Sequence, residues 1–196
     1  DGGAVLLREA DRRLGVTERV AQRLPDPRLR GSIEHSKLRL LRQRVYAIAS
    51  GYEDLNDHKT LRNDPVLQTA VDADSPLASA STLCRFENWA TGFTAEVVHQ
   101  VLLETFVSSF KRPPKRIVLD FDATNAAVHG EQEGRYFLGH YDEYCFLPLY
   151  VFCGKHLLVA YLRPADRDGA HHAGAILRLL VGRLRQAWPK VEVVFR

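Results

Sequence analysis

The chain changes its pattern near residue 110. Before that point apolar residues recur at helical spacing; after it they come in short blocks and alternate with polar ones. Between Glu34 and Gly51, Leu38, Leu41, Val45 and Ile48 fall at i, i+3, i+7 and i+10, which predicts an amphipathic helix. Lys37, Arg39, Arg42 and Arg44 lie mostly off that seam and form a basic flank. Breaks at Pro25, Pro27, Pro65 and Pro76 punctuate the remainder of this region. A second helix is predicted over residues 95–110, with Thr94 as N-cap and Val98, Leu102, Phe106 and Phe110 on one face. The segment KRPPKR (111–116) ends it, because proline lacks an N–H and pushes its predecessor out of helical geometry.

Past that segment the aromatic and β-branched content rises. Strands are predicted at Arg116–Asp122, Tyr136–Tyr141, Cys145–Cys153 and His156–Leu162, with turns at Asp142–Glu143 and Gly154–Lys155. The Gly154–Lys155 turn is short enough to force an antiparallel hairpin. A helix follows from His171 to Trp188, burying Ile176, Leu177, Leu180, Val181, Leu184, Ala187 and Trp188. Pro189 stops it, and Val191–Phe195 starts another strand. The resulting order is β, β, β, α, β with the first three strands antiparallel. The class is α/β: a helical region over 1–110, then a mixed sheet over 111–196.

Composition narrows the setting. A chain of 196 residues holds one good-sized domain, or a small one beside part of another. No apolar stretch approaches the roughly 18–20 residues that span a bilayer, and the start has no signal-peptide pattern, so a cytoplasmic protein is expected. Cys84, Cys145 and Cys153 are odd in number and lack zinc-ligand spacing, which predicts reduced thiols, buried at 145 and 153. The absence of methionine, the DGG start and the VEVVFR end on a strand pattern lead to the expectation of a fragment.

The formal charge of +3 is unevenly spread. Arg8–Arg44 carries 11 basic and 5 acidic residues, a local net of +6. Val45–Phe110 carries 3 basic and 9 acidic, a net of −6; Lys111–Arg196 carries 13 basic and 9 acidic, a net of +4. The basic first third makes Lys37, Arg39, Arg42 and Arg44 candidate duplex-DNA contacts. A protein that only binds DNA is the rival class to an enzyme.

The chemistry is concentrated in RIVLDFDATNAAVHG (116–130). Period-2 alternation puts Asp120, Asp122 and Thr124 on one face at the lip of a sheet. DFDAT resembles the opening loop of haloacid-dehalogenase-type phosphatases, where Asp120 would be the nucleophile and Asp122 the general acid. That fold requires a crossover helix and a parallel sheet after the motif, for which the following strand–turn–strand pattern leaves no room.

The wider run fits better elsewhere. STLCRFEN (81–88), Asp120–Thr124, His129–Gly134, Phe146–Phe152, LRPAD and WPKVEVVFR together resemble the DDE (Asp-Asp-Glu) transposases of bacterial insertion sequences. The resemblance implies the first part of an RNase H-like catalytic domain and cut-and-paste DNA transposition. It implies three carboxylates holding two Mg²⁺ ions, with Asp122 as a catalytic metal ligand and Asp120 and Thr124 as secondary candidates. It also implies assembly as a homo-oligomer on duplex DNA, namely terminal inverted repeats and target, with no membrane partner. His129 and Arg135 become low-ranking DNA-contact candidates. The second Asp would be expected just past Arg196 and the Glu much further on, so a chain of these 196 residues is expected to be inactive alone.

Overall fold

The computed structural model describes residues 2–196. They form two compact units, the first ending at Val101 and the second running from Leu102 to Arg196.

The first unit is helical. Helix α1 (Gly3–Leu14) and α2 (Val16–Arg23) meet at Gly15, whose φ of 65° is left-handed and therefore suits glycine. Helix α3 (Lys37–Ala49) starts where the Ser36 hydroxyl accepts from the Arg39 N–H at 3.2 Å. Short helices α4 (His58–Leu61), α5 (Pro65–Ala70) and α6 (Ala80–Glu87) follow; Asp64 caps α5 ahead of a proline at its first position. Helix α7 (Gly92–Ser108) begins earlier than the pattern predicts. Thr94 lies inside it, its hydroxyl accepting from the Thr91 N–H at 3.1 Å, and Phe110 lies past its end.

The orientation of α3 departs from its apolar seam. Leu40, Arg42, Gln43, Tyr46 and Ala47 are buried, whereas Val45 and Ile48 are 42% and 47% exposed. The buried row is the predicted row moved by two residues, about 200° around the helix. Hydrophobic spacing misses this because the inward face is held by polar bonds. Gln43 donates to the Ala78 carbonyl at 2.9 Å and accepts from the Ala78 N–H at 3.1 Å. Asp11 accepts from the Thr17 N–H at 2.9 Å and from the Tyr46 hydroxyl at 3.0 Å.

The second unit is built on a four-stranded sheet. Strand β1 (Arg116–Ala123) is followed by β2 (Ala126–Ala127), β3 (Tyr136–Leu138), β4 (Glu143–Phe146), β5 (Leu149–Cys153) and β6 (His156–Tyr161). Helix α8 (Ala173–Ala187) and β7 (Glu192–Phe195) complete it. The main sheet has the order β6-β5-β1-β7, in which β5 runs antiparallel to both its neighbours, β1 and β6, and β7 is parallel to β1. The β5–β6 turn is Gly154–Lys155 as expected, with Gly154 at φ 58°.

Three expectations are corrected. The predicted strand Cys145–Cys153 is two strands, broken at Leu147–Pro148, because Pro148 has no N–H to continue a ladder. The Tyr136 strand does not join β1; it pairs with β4 in a separate sheet of order β2-β4-β3. His171 and His172 precede α8, His172 at φ 67°, instead of forming its first turn. Leu180, Leu184 and Trp188 are buried on the inner side of α8, against Phe106, Ile117, Leu119, Val151 and Leu158. Alternation along β1 thus sends Ile117 and Leu119 into this core and Asp120 and Asp122 to the other face.

Candidate functional site

Asp120 and Asp122 stand near the C-terminal end of the central strand, opposite Phe152 and Tyr150 of β5. Asp122 is exposed, and no hydrogen-bond or ion-pair partner meets its carboxylate among the described residues. Asp120 is half-buried and accepts from the Arg196 guanidinium. That contact follows from the backbone, because the parallel pairing carries Arg196 alongside β1: its N–H donates to Leu119 at 3.0 Å and its carbonyl accepts from Phe121 at 2.8 Å. Thr124 lies just past β1, half-buried, its N–H donating to the Pro148 carbonyl at 3.3 Å. Asn125 is engaged by Glu143.

The loop after β6 closes over the end of β1. A Cβ on Gly169 would meet Ala123 at 3.8 Å. Arg163, 2% exposed, holds this loop by donating to the carbonyls of Leu147, His171 (2.6 Å) and Gly169 (2.8 Å). Burial lowers its guanidinium pKa from the ordinary value, with Asp168 opposing. Neither periodicity nor spacing singled Arg163 out; an arginine at the end of an apolar strand, directly before a proline, is the one signal the sequence carries.

The segment His129–Gly134 is shaped by its glycines, Gly130 at φ 80° and Gly134 at φ 83°, the latter against the Phe146 ring. Arg135 donates to the Gly130 carbonyl at 2.6 Å and lies over the Tyr144 ring at 4.6 Å, so it ties this loop down. His129 is exposed.

The four cations of α3 are occupied within the molecule. Lys37 donates to the Leu24 carbonyl, and Arg39 to the Asp72 carbonyl at 2.9 Å. Arg42 is 8% exposed and lies 3.3 Å from Asp11 and 3.0 Å from Asp72. Arg44 pairs with Glu87 and donates to the Glu53 carbonyl at 2.7 Å. Charge counted along the chain overstates what this helix offers a partner.

Among the described residues no group of three or more His, Cys, Asp or Glu converges to hold a metal ion. Two carboxylates on one strand face, one of them unpartnered, supply oxygen donors of the kind hard cations take, and so fit part of such a site. The complete chain, residues 1–196, matches the family described as transposase DDE domain group 1. The chain belongs to that family. DDE transposases act on DNA and in general use a divalent metal, which agrees with an acidic pair at an open strand end. The phosphatase reading is set aside, since β1 has an antiparallel neighbour and no helix lies between Asp122 and α8. No curated protein and no solved structure matches this transposase chain. No helix among its described residues is long and apolar enough to cross a membrane.

Proposed function

We propose that this transposase chain serves cut-and-paste transposition of a bacterial insertion sequence, with Asp122 as a Mg²⁺ ligand and Asp120 as its neighbour in the same site. The observation that carries the reading is the unpartnered Asp122 carboxylate on the open face of the central strand. Mg²⁺ bound there would stabilise charge at a DNA phosphodiester and lower the pKa of an attacking hydroxyl. The chain's part is to present the two carboxylates from a rigid strand, with Arg163 holding the adjoining loop. An RNase H-like catalytic half is supported by a first strand flanked by an antiparallel second and a parallel fourth, with the third beyond the second. Homo-oligomeric assembly on paired transposon ends goes with the same reading.

Two carboxylates are fewer than the three that the family's name denotes. We therefore assign cleavage and strand transfer to a protein that adds the remaining Asp and Glu, and expect none from these 196 residues alone. The experiment is a cleavage and strand-transfer assay with Mg²⁺ or Mn²⁺ on DNA bearing the cognate ends. It compares this chain, the chain within its complete reading frame, and the latter with Asp122→Asn. Activity confined to the complete wild type supports the reading. Activity that survives Asp122→Asn overturns it, and inactivity of every version would favour a protein that only binds DNA.

A further inference from the structure

The end of the sheet remote from Asp122 carries the opposite charge. Three packing contacts build it. The Phe110 and Trp188 rings meet edge to face at 5.1 Å, and Lys111 and Lys190 follow these two residues by one and two positions. Phe106 meets His156 at 5.2 Å and Trp188 at 5.6 Å, and Lys155 in the β5–β6 turn directly precedes that histidine. The Glu192 N–H donates to the Lys115 carbonyl at 2.9 Å, aligning Lys115 and Arg116 with the start of β7. Pro113 and Pro114 restrict the segment between Arg112 and Lys115.

Lys111, Arg112, Lys115, Arg116, Lys155 and Lys190 are all exposed there. Among the described residues only Arg116 of these six has an acidic neighbour, Glu192 at 3.8 Å, in an exposed and therefore weak pair. We propose that this rim is a second DNA-contact surface of the transposase, binding phosphates of duplex DNA without reading bases. The catalytic lip presents Asp120 and Asp122 and by itself repels a polyanion, so cations away from it must hold the DNA. Helix α3 does not offer them, since its four cations are bound internally. Arg116 and Asp122 are six residues apart on β1, about 20 Å at ~3.3 Å per residue. Along a duplex that span is about six base pairs, so the rim touches phosphates that the carboxylates do not reach.

The test is fluorescence anisotropy of the whole chain on a short mixed-sequence duplex, without metal, over a series of salt concentrations. The first variant is Lys111→Gln/Arg112→Gln/Lys115→Gln, the second Lys155→Gln/Lys190→Gln, and the control Lys37→Gln/Arg39→Gln. The slope of log K against log salt should shrink by about 2–3 in the first variant and by about 2 in the second, with little change in the control. Acylation footprinting of the wild-type chain gives a readout independent of variant folding: duplex should protect Lys111, Lys115, Lys155 and Lys190 but not the exposed Lys59. Unchanged slopes in folded rim variants, absent protection, or equal competition by polyglutamate at matched charge would each overturn the proposal. Because the assay holds no metal and reads no cleavage, its failure leaves the assignment of Asp122 standing.

Discussion

The Arg42 guanidinium lies 3.3 Å from the Asp11 carboxylate, and both side chains are buried in the helical unit. Thr17 and Tyr46 supply further donors to Asp11, and Asp72 takes the second arm of Arg42 at 3.0 Å. A cation that sequence patterning places on a DNA-facing flank is thus part of the helical core. Removing either partner strands the other charge in a poorly solvated place. Arg42→Ala and Asp11→Ala should each destabilise the unit by about 3–5 kcal/mol, and the double variant by less than their sum. Urea unfolding followed by circular dichroism measures this. A loss of duplex affinity in Arg42→Ala with unchanged stability would contradict the assignment.

His58 makes stability depend on pH. It is wholly buried, with Nδ1 3.1 Å from the Gln43 amide nitrogen. The Gln43 amide is oriented by its two bonds to Ala78, so that nitrogen is a donor and Nδ1 must accept. Protonation would set donor against donor. Burial first, and the Arg44 cation second, hold the His58 pKa below its ordinary value of 6.5, with Asp57 and Glu87 opposing. The unfolded chain therefore takes up the proton at higher pH than the folded one. The stabilisation is complete above the ordinary value and is lost as pH falls below it toward the folded value. The melting temperature should drop between about pH 7.5 and 5.5, and His58→Asn should flatten that dependence. His35, also held low by burial, supplies a residual slope.

Arg163 is expected to be irreplaceable by lysine. Its planar fork reaches three carbonyls from one buried position, which a single ammonium point cannot copy. Arg163→Lys should cost about 2–3 kcal/mol, since hydrogen bonds to charged groups are worth about 1.5–3 kcal/mol each and some survive. Hydrogen exchange should speed up over residues 164–172 in that variant. Unaltered exchange there would show that the loop is held by other means.

On the proposed reading, Arg196 is expected to compete with a bound cation for Asp120. Its guanidinium donates to that carboxylate, and the contact raises the pKa of Arg196 above its ordinary value. Arg196→Gln should increase Mn²⁺ affinity several-fold, and Asp122→Asn should abolish binding in either background. Electron paramagnetic resonance of free Mn²⁺ reads both effects. Equal affinity in wild type and Asp122→Asn would place the ion elsewhere.

The sequence alone determined the elements whose periodicity serves one purpose. β1, the β5–β6 hairpin and most of α8 follow their hydrophobic spacing because that spacing is what buries them, although Ala187, expected on the buried side, is exposed; the DFDAT carboxylates fall on one strand face by alternation alone. The tertiary structure decided the rest, wherever polar groups or distant segments determine the outcome. Helix α3 turns inward the face that Gln43 and Arg42 can satisfy by hydrogen bonds, because an unpaired buried polar group is more costly than an exposed Val45 or Ile48. The Tyr136 strand pairs with β4 instead of β1, a partner choice that period-2 spacing does not encode. The free cations are likewise a tertiary result. Those of α3 are consumed by Leu24, Asp11, Asp72 and Glu87, whereas the exposed Lys111, Lys155 and Lys190, far apart in sequence, each lie within two residues of the ring cluster of Phe106, Phe110, His156 and Trp188.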